Sequence, residues 1–326
     1  TVLLGLGLIL QSQANTVEAV YLSRFLMGSS LGFVGVAPCV VLVSGWFSSG
    51  RGTALGVALT GTSLGGSLIS LAAAPLIAAY GWRTAMLALS GLVWAVLLPV
   101  VVAFVKEGDE RSSTAGDDAA DGVTLRAALH TPTFWAFAAT AALVFYPIFV
   151  ILQQFILYVQ TPRIGLSPEK AALGQSALFA IGVGGKFVAG LISDRWPAGS
   201  VLVGFAGLMF ASSLVLLDLS ASNALWFLLP FAIGYGGTWL MLQRLASELF
   251  GRREIGKILG AITLIEVTGA SVGGFITGRL ADANGGDYTT AFYGVTIAAG
   301  LALLSSVVVN RSSRLTSSNY DQASDN

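Results

Sequence analysis

Long runs of Leu, Ile, Val, Ala, Phe and Gly, interrupted at intervals by short polar clusters, set the pattern of this chain. A helix rising about 1.5 Å per residue needs roughly 20 apolar residues to cross a bilayer core of about 30 Å, so each run of that length reads as a membrane helix. Ten segments are expected: 1–13, 17–46, 53–79, 83–105, 133–160, 170–193, 198–219, 223–247, 256–280 and 288–309. The first is too short for a comfortable span. The chain also enters it directly at Thr1, with no basic n-region or cleavage site of a signal peptide, so it is expected to continue a helix begun upstream.

The polar clusters divide the segments into groups. Residues 1–105 are expected to form an N-terminal bundle and 133–309 a C-terminal bundle of six helices. Between them, 106–132 includes GDERSSTAGDDAADG, a charged, small-residue composition that reads as a flexible central loop. The polar stretch 310–326 reads as a disordered tail. Assigning loops alternately puts eleven Lys and Arg on one side, among them Arg51, Lys106, Arg195 and Arg253, against four on the other: Arg83, Arg163, Lys170 and Arg279. The positive-inside rule makes the first side cytoplasmic and places the C-terminus there, in a plasma or inner membrane.

Composition agrees with lipid as the solvent. Of 326 residues 55% are apolar and only 10% charged, against roughly 25% in a soluble domain. With 17 basic and 17 acidic residues there is no basic field to attract nucleic acid. The single cysteine, Cys39, cannot form an intrachain disulfide, and with one histidine, His130, in a polar stretch, no Cys/His metal cluster can assemble. No cofactor, metal or catalytic group is expected. The stretch from Gly182 to Phe187 fails the phosphate-loop pattern, because Ala180 replaces its first glycine and Phe187 its hydroxyl.

Three ionisable residues fall well inside apolar segments: Arg24, Lys186 and Glu266. A central Lys or Arg costs about 2.5–3.5 kcal/mol on insertion scales, so such residues face a cavity or a partner. Lys186 stands eight residues before Asp194 and Glu266 nine after Lys257, placing both roughly 12–14 Å deep. They could meet as an ion pair or face one cavity. Arg24 lies nearer the other surface, six residues after Glu18. Tyr146, Gln153 and Gln154, with Tyr235, Trp239 and Gln243, make a candidate polar lining for a small solute. Glycines four apart, at 28/32, 52/56, 61/65, 269/273 and 274/278, read as close helix-packing seams.

These residues resemble the major facilitator superfamily, and within it the monocarboxylate transporter and oxalate:formate antiporter branch. YLSRFLMGSSLGF (21–33) is similar to the family's fourth helix, with Arg24 at its motif-B arginine, and WFSSGRGTALGVALTGTSLGG (46–66) to the loop and fifth helix. YGWR (80–83) resembles the entry to the sixth helix, and IGLSPEKAAL (164–173) and GLISDRW (190–196) the two ends of the eighth. Residues 250–295 are similar throughout to the eleventh-helix region. The resemblance implies an all-α major facilitator fold of two pseudo-symmetric bundles, with about ten of twelve helices present and helices one and two missing. Lys186 occupies the place of the eighth-helix cation, usually arginine, that binds the substrate carboxylate. Asp194 and Arg195 keep the acidic-basic pair of a gating motif, to which Arg51 is added.

The function expected is therefore secondary transport of small organic anions, monocarboxylates first, by alternating access and without enzymatic chemistry. Lys186, Tyr146, Gln153, Gln154, Tyr235, Trp239 and Gln243 form the substrate site. Glu266 and Arg24 serve proton coupling or an ion pair; whether protons are coupled stays open. The alternatives are a carrier of another solute, such as a drug, sugar or amino acid, and a non-transporting membrane scaffold.

Overall fold

The computed structural model describes the backbone of residues 1–46, 51–104, 122–220, 222–251 and 253–324; the side chains of 37, 41, 44, 45, 51–53, 55, 104, 224, 225 and 312–324 lie outside the described set. Twelve α-helices occur among the described residues: α1 (Val2–Gln13), α2 (Val17–Val34), α3 (Val36–Trp46), α4 (Arg51–Leu92), α5 (Leu98–Phe104), α6 (Leu125–Leu129), α7 (Pro132–Val159), α8 (Pro168–Ser193), α9 (Ala198–Ser213), α10 (Ala224–Phe250), α11 (Ile255–Ala283) and α12 (Thr289–Ser324). No β-strand occurs among them. Seven stretches are long and apolar enough to cross a bilayer.

The expected segments map onto these helices with local differences that have identifiable causes. Segments 53–79 and 83–105 are one helical run broken at Gly81, whose φ of 77° and ψ of 162° lie outside the helical region. Only glycine adopts such a conformation without strain. A π-turn at Val93–Leu97 comes next, in which the Leu98 amide donates to Val93 O. It directly precedes Pro99, which has no amide to continue the ladder. Helix starts obey the sequence signals: Thr131 and Ser167 cap α7 and α8 by accepting from Phe134 N (3.2 Å) and Lys170 N (3.4 Å), each with proline in the first turn.

The chain divides into two compact units, Thr1–Ala58 with Leu68–Thr114, and Leu59–Ser67 with Ala115–Asn326. In the first, α1 packs on α2, where Ser23 Oγ donates to Gln11 Oε1 at 2.6 Å. Arg83 ties the α1–α2 turn, donating to Ala14 O (3.1 Å) and Asn15 Oδ1 (2.8 Å). Large apolar side chains such as Tyr21, Phe25 and Phe33 point outward, as lipid-facing residues do.

The second unit is built on α7–α12, with α7 packed on α11 and α12, and α10 packed on α8 and α9. Its tightest crossing joins α8 to α10. A Cβ at Gly182 would strike the Tyr235 hydroxyl, one at Gly185 the Ile233 carbonyl, and one at Gly236 the Gly182 carbonyl. The sequence-based seams are only partly realised: Gly269 and Gly273 lie against Ala142 and Tyr146 of α7, whereas Gly28, Gly32, Gly56, Gly61, Gly65 and Gly278 meet nothing within 4 Å. Gly52 lies outside the described side chains. Spacing of four marks one face of a helix, but it does not say whether a neighbour comes to that face.

Two polar stretches fall only partly within the described residues. Within 106–132, residues 106–121 lie outside the described residues, but the remainder is anchored. Val123 N donates to Phe250 O (3.0 Å), and Leu125 N, at the start of α6, donates to Glu254 Oε2 (2.8 Å). The Lys257 ammonium and that helix terminus hold the Glu254 carboxyl below its ordinary range. Helix α12 continues past the apolar segment to Ser324, since no Gly or Pro comes after Gly300 to stop it.

The α8–α10 crossing has no room for added atoms. Gly236→Val should abolish a monodisperse, cooperatively unfolding protein, whereas Gly278→Ala should leave the thermal midpoint within a few degrees; size-exclusion chromatography and thermal unfolding check both.

Candidate functional site

The close approach of α8 to α10 determines what surrounds Lys186. The residue is 1% exposed, and its Nζ donates to Leu59 O (2.9 Å), Thr62 Oγ1 (2.7 Å) and Ser63 Oγ (2.9 Å). All three acceptors lie in one turn of the α4 stretch that belongs to the second unit. An ammonium has three donors, and here each has an oxygen. None of these oxygens carries a formal charge. Among the described residues no carboxylate lies within ion-pair distance of Lys186.

The second layer is aromatic. Tyr235 OH lies 3.2 Å from Ser63 Oγ, and the Trp239 ring faces the ammonium with its centroid 5.5 Å away. Phe145 and Phe149 of α7 pack on Trp239 at 4.9 and 5.9 Å between centroids. An ammonium over an indole gains about 0.5–2 kcal/mol, which reduces but does not cancel the cost of burial. A second tie holds the same α4 stretch to α8: Ser67 and Ser176 hydroxyls lie 2.8 Å apart.

Of the residues expected at the site, Lys186, Tyr235 and Trp239 come together. Gln243 is buried one turn further along α10. Tyr146 packs beside Gly273, and Gln154 Nε2 donates to Gly274 O (2.9 Å), so both sit at the α7–α11 seam; Gln153 is exposed. Glu266 is 2% exposed on α11, and its Oε1 makes no hydrogen bond. It forms no ion pair with Lys186. Equal depth along two helices leaves their rotation about the axes free, so meeting was one of two options and is not the one observed.

Arg24, in the first unit, is exposed, and no ion pair reaches it among the described residues. The Arg51 side chain lies outside the described residues. Asp194 is partnered by Arg244, which donates to Asp194 Oδ1 (3.1 Å), Ser193 Oγ (2.6 Å) and Glu248 Oε1 (3.0 Å), while Arg195 is exposed. Contacting residues that sequence reasoning did not place at the site are Leu59, Thr62, Ser63, Phe145, Phe149 and Arg244. The available signal for Thr62 and Ser63 was the pair of hydroxyls within the glycine-rich ALTGTSLGG; nothing in spacing pointed α4 at α8.

These features define a polytopic, all-helical membrane protein with a buried cation in its C-terminal unit. The sequence profile described as Major Facilitator Superfamily matches residues 1–274. The chain belongs to that superfamily, whose members are transporters rather than enzymes. Similar curated proteins include the MFS transporter asaE of Aspergillus flavus, 27% identical over 91% of this chain and 67% of that protein. Human monocarboxylate transporter 12 is 25% identical over 88% of this chain and 61% of its own length; rat monocarboxylate transporter 13 is 28% identical, over 93% and 69%. The chain thus spans roughly two thirds of the length of these relatives. Among solved structures, an inward-facing, unoccupied bacterial homologue of the human lysosomal transporter Spinster matches with a TM-score of 0.67 at 17% identity, covering 94% of this chain and 81% of that one. The transporter FucP in its outward conformation matches with a TM-score of 0.63 at 15% identity, over 94% and 80%. At such identities the likeness is one of fold.

Arg244 fastens Asp194, at the end of α8, to α10. In Arg244→Gln the end of α8 should loosen by roughly 1 kcal/mol, since the bond is half-exposed, and trypsin should cut after Arg195 several-fold faster in detergent-solubilised protein.

Proposed function

We propose that this chain is the major part of a secondary carrier for small monocarboxylates, working by alternating access, with Lys186 as the residue that receives the carboxylate. The observation that carries the reading is a buried ammonium held by neutral oxygens alone. A charge withdrawn from water without a counter-ion is costly, and a carboxylate at the same place offsets that cost through a charge-assisted bond about twice as strong as a neutral one. One buried positive charge matches one negative charge, which favours monoanions such as pyruvate, lactate and formate over oxalate. Two of the similar curated proteins bear the name monocarboxylate transporter, which supports the same class.

Tyr235 and Trp239 are the remaining groups of this site: the hydroxyl orients Ser63, and the indole forms its apolar wall. Tyr146, Gln153, Gln154 and Gln243 are retained as further polar residues of the solute route, the first three on α7 and Gln243 on α10. Asp194 and Arg195, with Arg51, take part in gating, through Arg244 in the case of Asp194. The membrane is the plasma or inner membrane, with the C-terminus cytoplasmic. Proton coupling falls to Glu266, whose buried carboxyl has an oxygen without a partner and, among the described residues, no cation at ion-pair distance, an arrangement suited to taking up and releasing a proton. Arg24, exposed and in the first unit, is kept as the second candidate for coupling or an ion pair.

Uptake of labelled pyruvate, lactate, formate and oxalate into proteoliposomes of the full-length parent tests the reading. The three monoanions should be carried and oxalate poorly. Lys186→Ala should lower pyruvate uptake roughly tenfold or more, the loss of at least one hydrogen bond to a charged group. Unchanged uptake in that variant removes Lys186 from the site. Glu266→Gln should flatten the dependence of uptake on external pH while pyruvate–pyruvate exchange persists; an unaltered pH profile assigns coupling elsewhere.

A further inference from the structure

The three oxygens on Lys186 are not equivalent, and the difference has a functional consequence. Leu59 O is main chain and cannot turn away without unwinding α4. Ser63 is buried and shared with Tyr235. Thr62 is exposed, makes the shortest of the three bonds (2.7 Å), and donates its own proton back to Leu59 O at 2.7 Å. Its hydroxyl can leave by a single χ1 rotation. On either side of it, Gly61 and Gly65 leave open space where side chains would otherwise stand.

From this we infer that Thr62 is a displaceable ligand of Lys186: an incoming monocarboxylate replaces its hydroxyl on Nζ, while Leu59 O and Ser63 Oγ stay in place. The inference rests on the assignment of Lys186 as the carboxylate-binding residue and adds the group that competes with the substrate. In the unloaded protein Thr62 satisfies the third ammonium donor and excludes weaker ligands; on loading, one neutral bond is exchanged for one charge-assisted bond. Exchange also removes one of the links that fasten the 59–67 stretch to α8, leaving those through Leu59 O and Ser63 Oγ and the Ser67–Ser176 pair. Thr62 therefore sets apparent affinity through the state without substrate. Its loss should tighten binding, whereas loss of a residue that contacts the substrate should weaken it.

The test is equilibrium binding of radiolabelled pyruvate to the purified full-length parent and to Thr62→Val, Thr62→Ser and Lys186→Gln. Valine keeps the shape and removes the acceptor, and should lower the Kd about tenfold, the effect of one bond to a charged group. Serine keeps the acceptor and should restore the parental Kd. If valine is not accommodated, Thr62→Ala reports the same quantity. An unchanged or raised Kd in the valine or alanine variant, with binding lost in Lys186→Gln, overturns the exchange and leaves the carboxylate site standing. Parental binding in Lys186→Gln overturns both.

Discussion

Removing one ammonium from water is the constraint around which the C-terminal unit is arranged. A buried cation without a counter-ion is tolerated only if every N–H finds an oxygen, and the turn Leu59–Ser63 supplies all three. For Lys186 to reach that turn, its helix must sit deep in the bundle. The glycines at 182, 185 and 236 permit this, because at each the neighbouring helix occupies the space of a side chain. The aromatic residues then complete the surroundings, Trp239 facing the charge and Phe145 and Phe149 closing around the indole. Helix packing, electrostatics and candidate function therefore meet at one atom, Nζ of Lys186.

Glu266 shows the contrasting solution. It too lies buried in an apolar helix, but with one oxygen unpartnered instead of a complete shell. The carboxyl keeps an oxygen free for a further partner, whereas every donor of the ammonium is already engaged. Two ionisable groups at similar depth are thus held by different means, and the absence of an ion pair between them leaves each available for a separate task. Glycines stand on both helices, Gly269 and Gly273 on one and Gly182 and Gly185 on the other, and provide close backbone contact without long side chains to interlock.

Much of the fold was legible because lipid imposes a length and a composition on each element. The apolar runs matched helices, and the family resemblance agrees with the superfamily match over residues 1–274. The break at Gly81 falls in the gap expected between segments 53–79 and 83–105, whereas the π-turn before Pro99 was less visible, since it lies inside uninterrupted apolar sequence and depends on local backbone chemistry. At the site, the importance of Lys186 came from the cost of a charge in hydrocarbon. Its actual partners did not, because a backbone carbonyl and two hydroxyls carry no periodic signal. The same limit explains Arg244: its pairing with Asp194 depends on how α8 and α10 are rotated, which periodicity along one helix cannot fix.

The central claim is that the Lys186 ammonium meets the carboxylate of the transported anion. A dipolar-coupling measurement by solid-state NMR addresses it directly, using full-length parent in bilayers with 15N-labelled lysine side chains and pyruvate labelled with 13C at its carboxylate. A close 15N–13C contact that disappears in Lys186→Arg prepared with the same lysine label is the expected result. No such contact in protein saturated with pyruvate, or a contact that survives replacement of Lys186, would contradict the account.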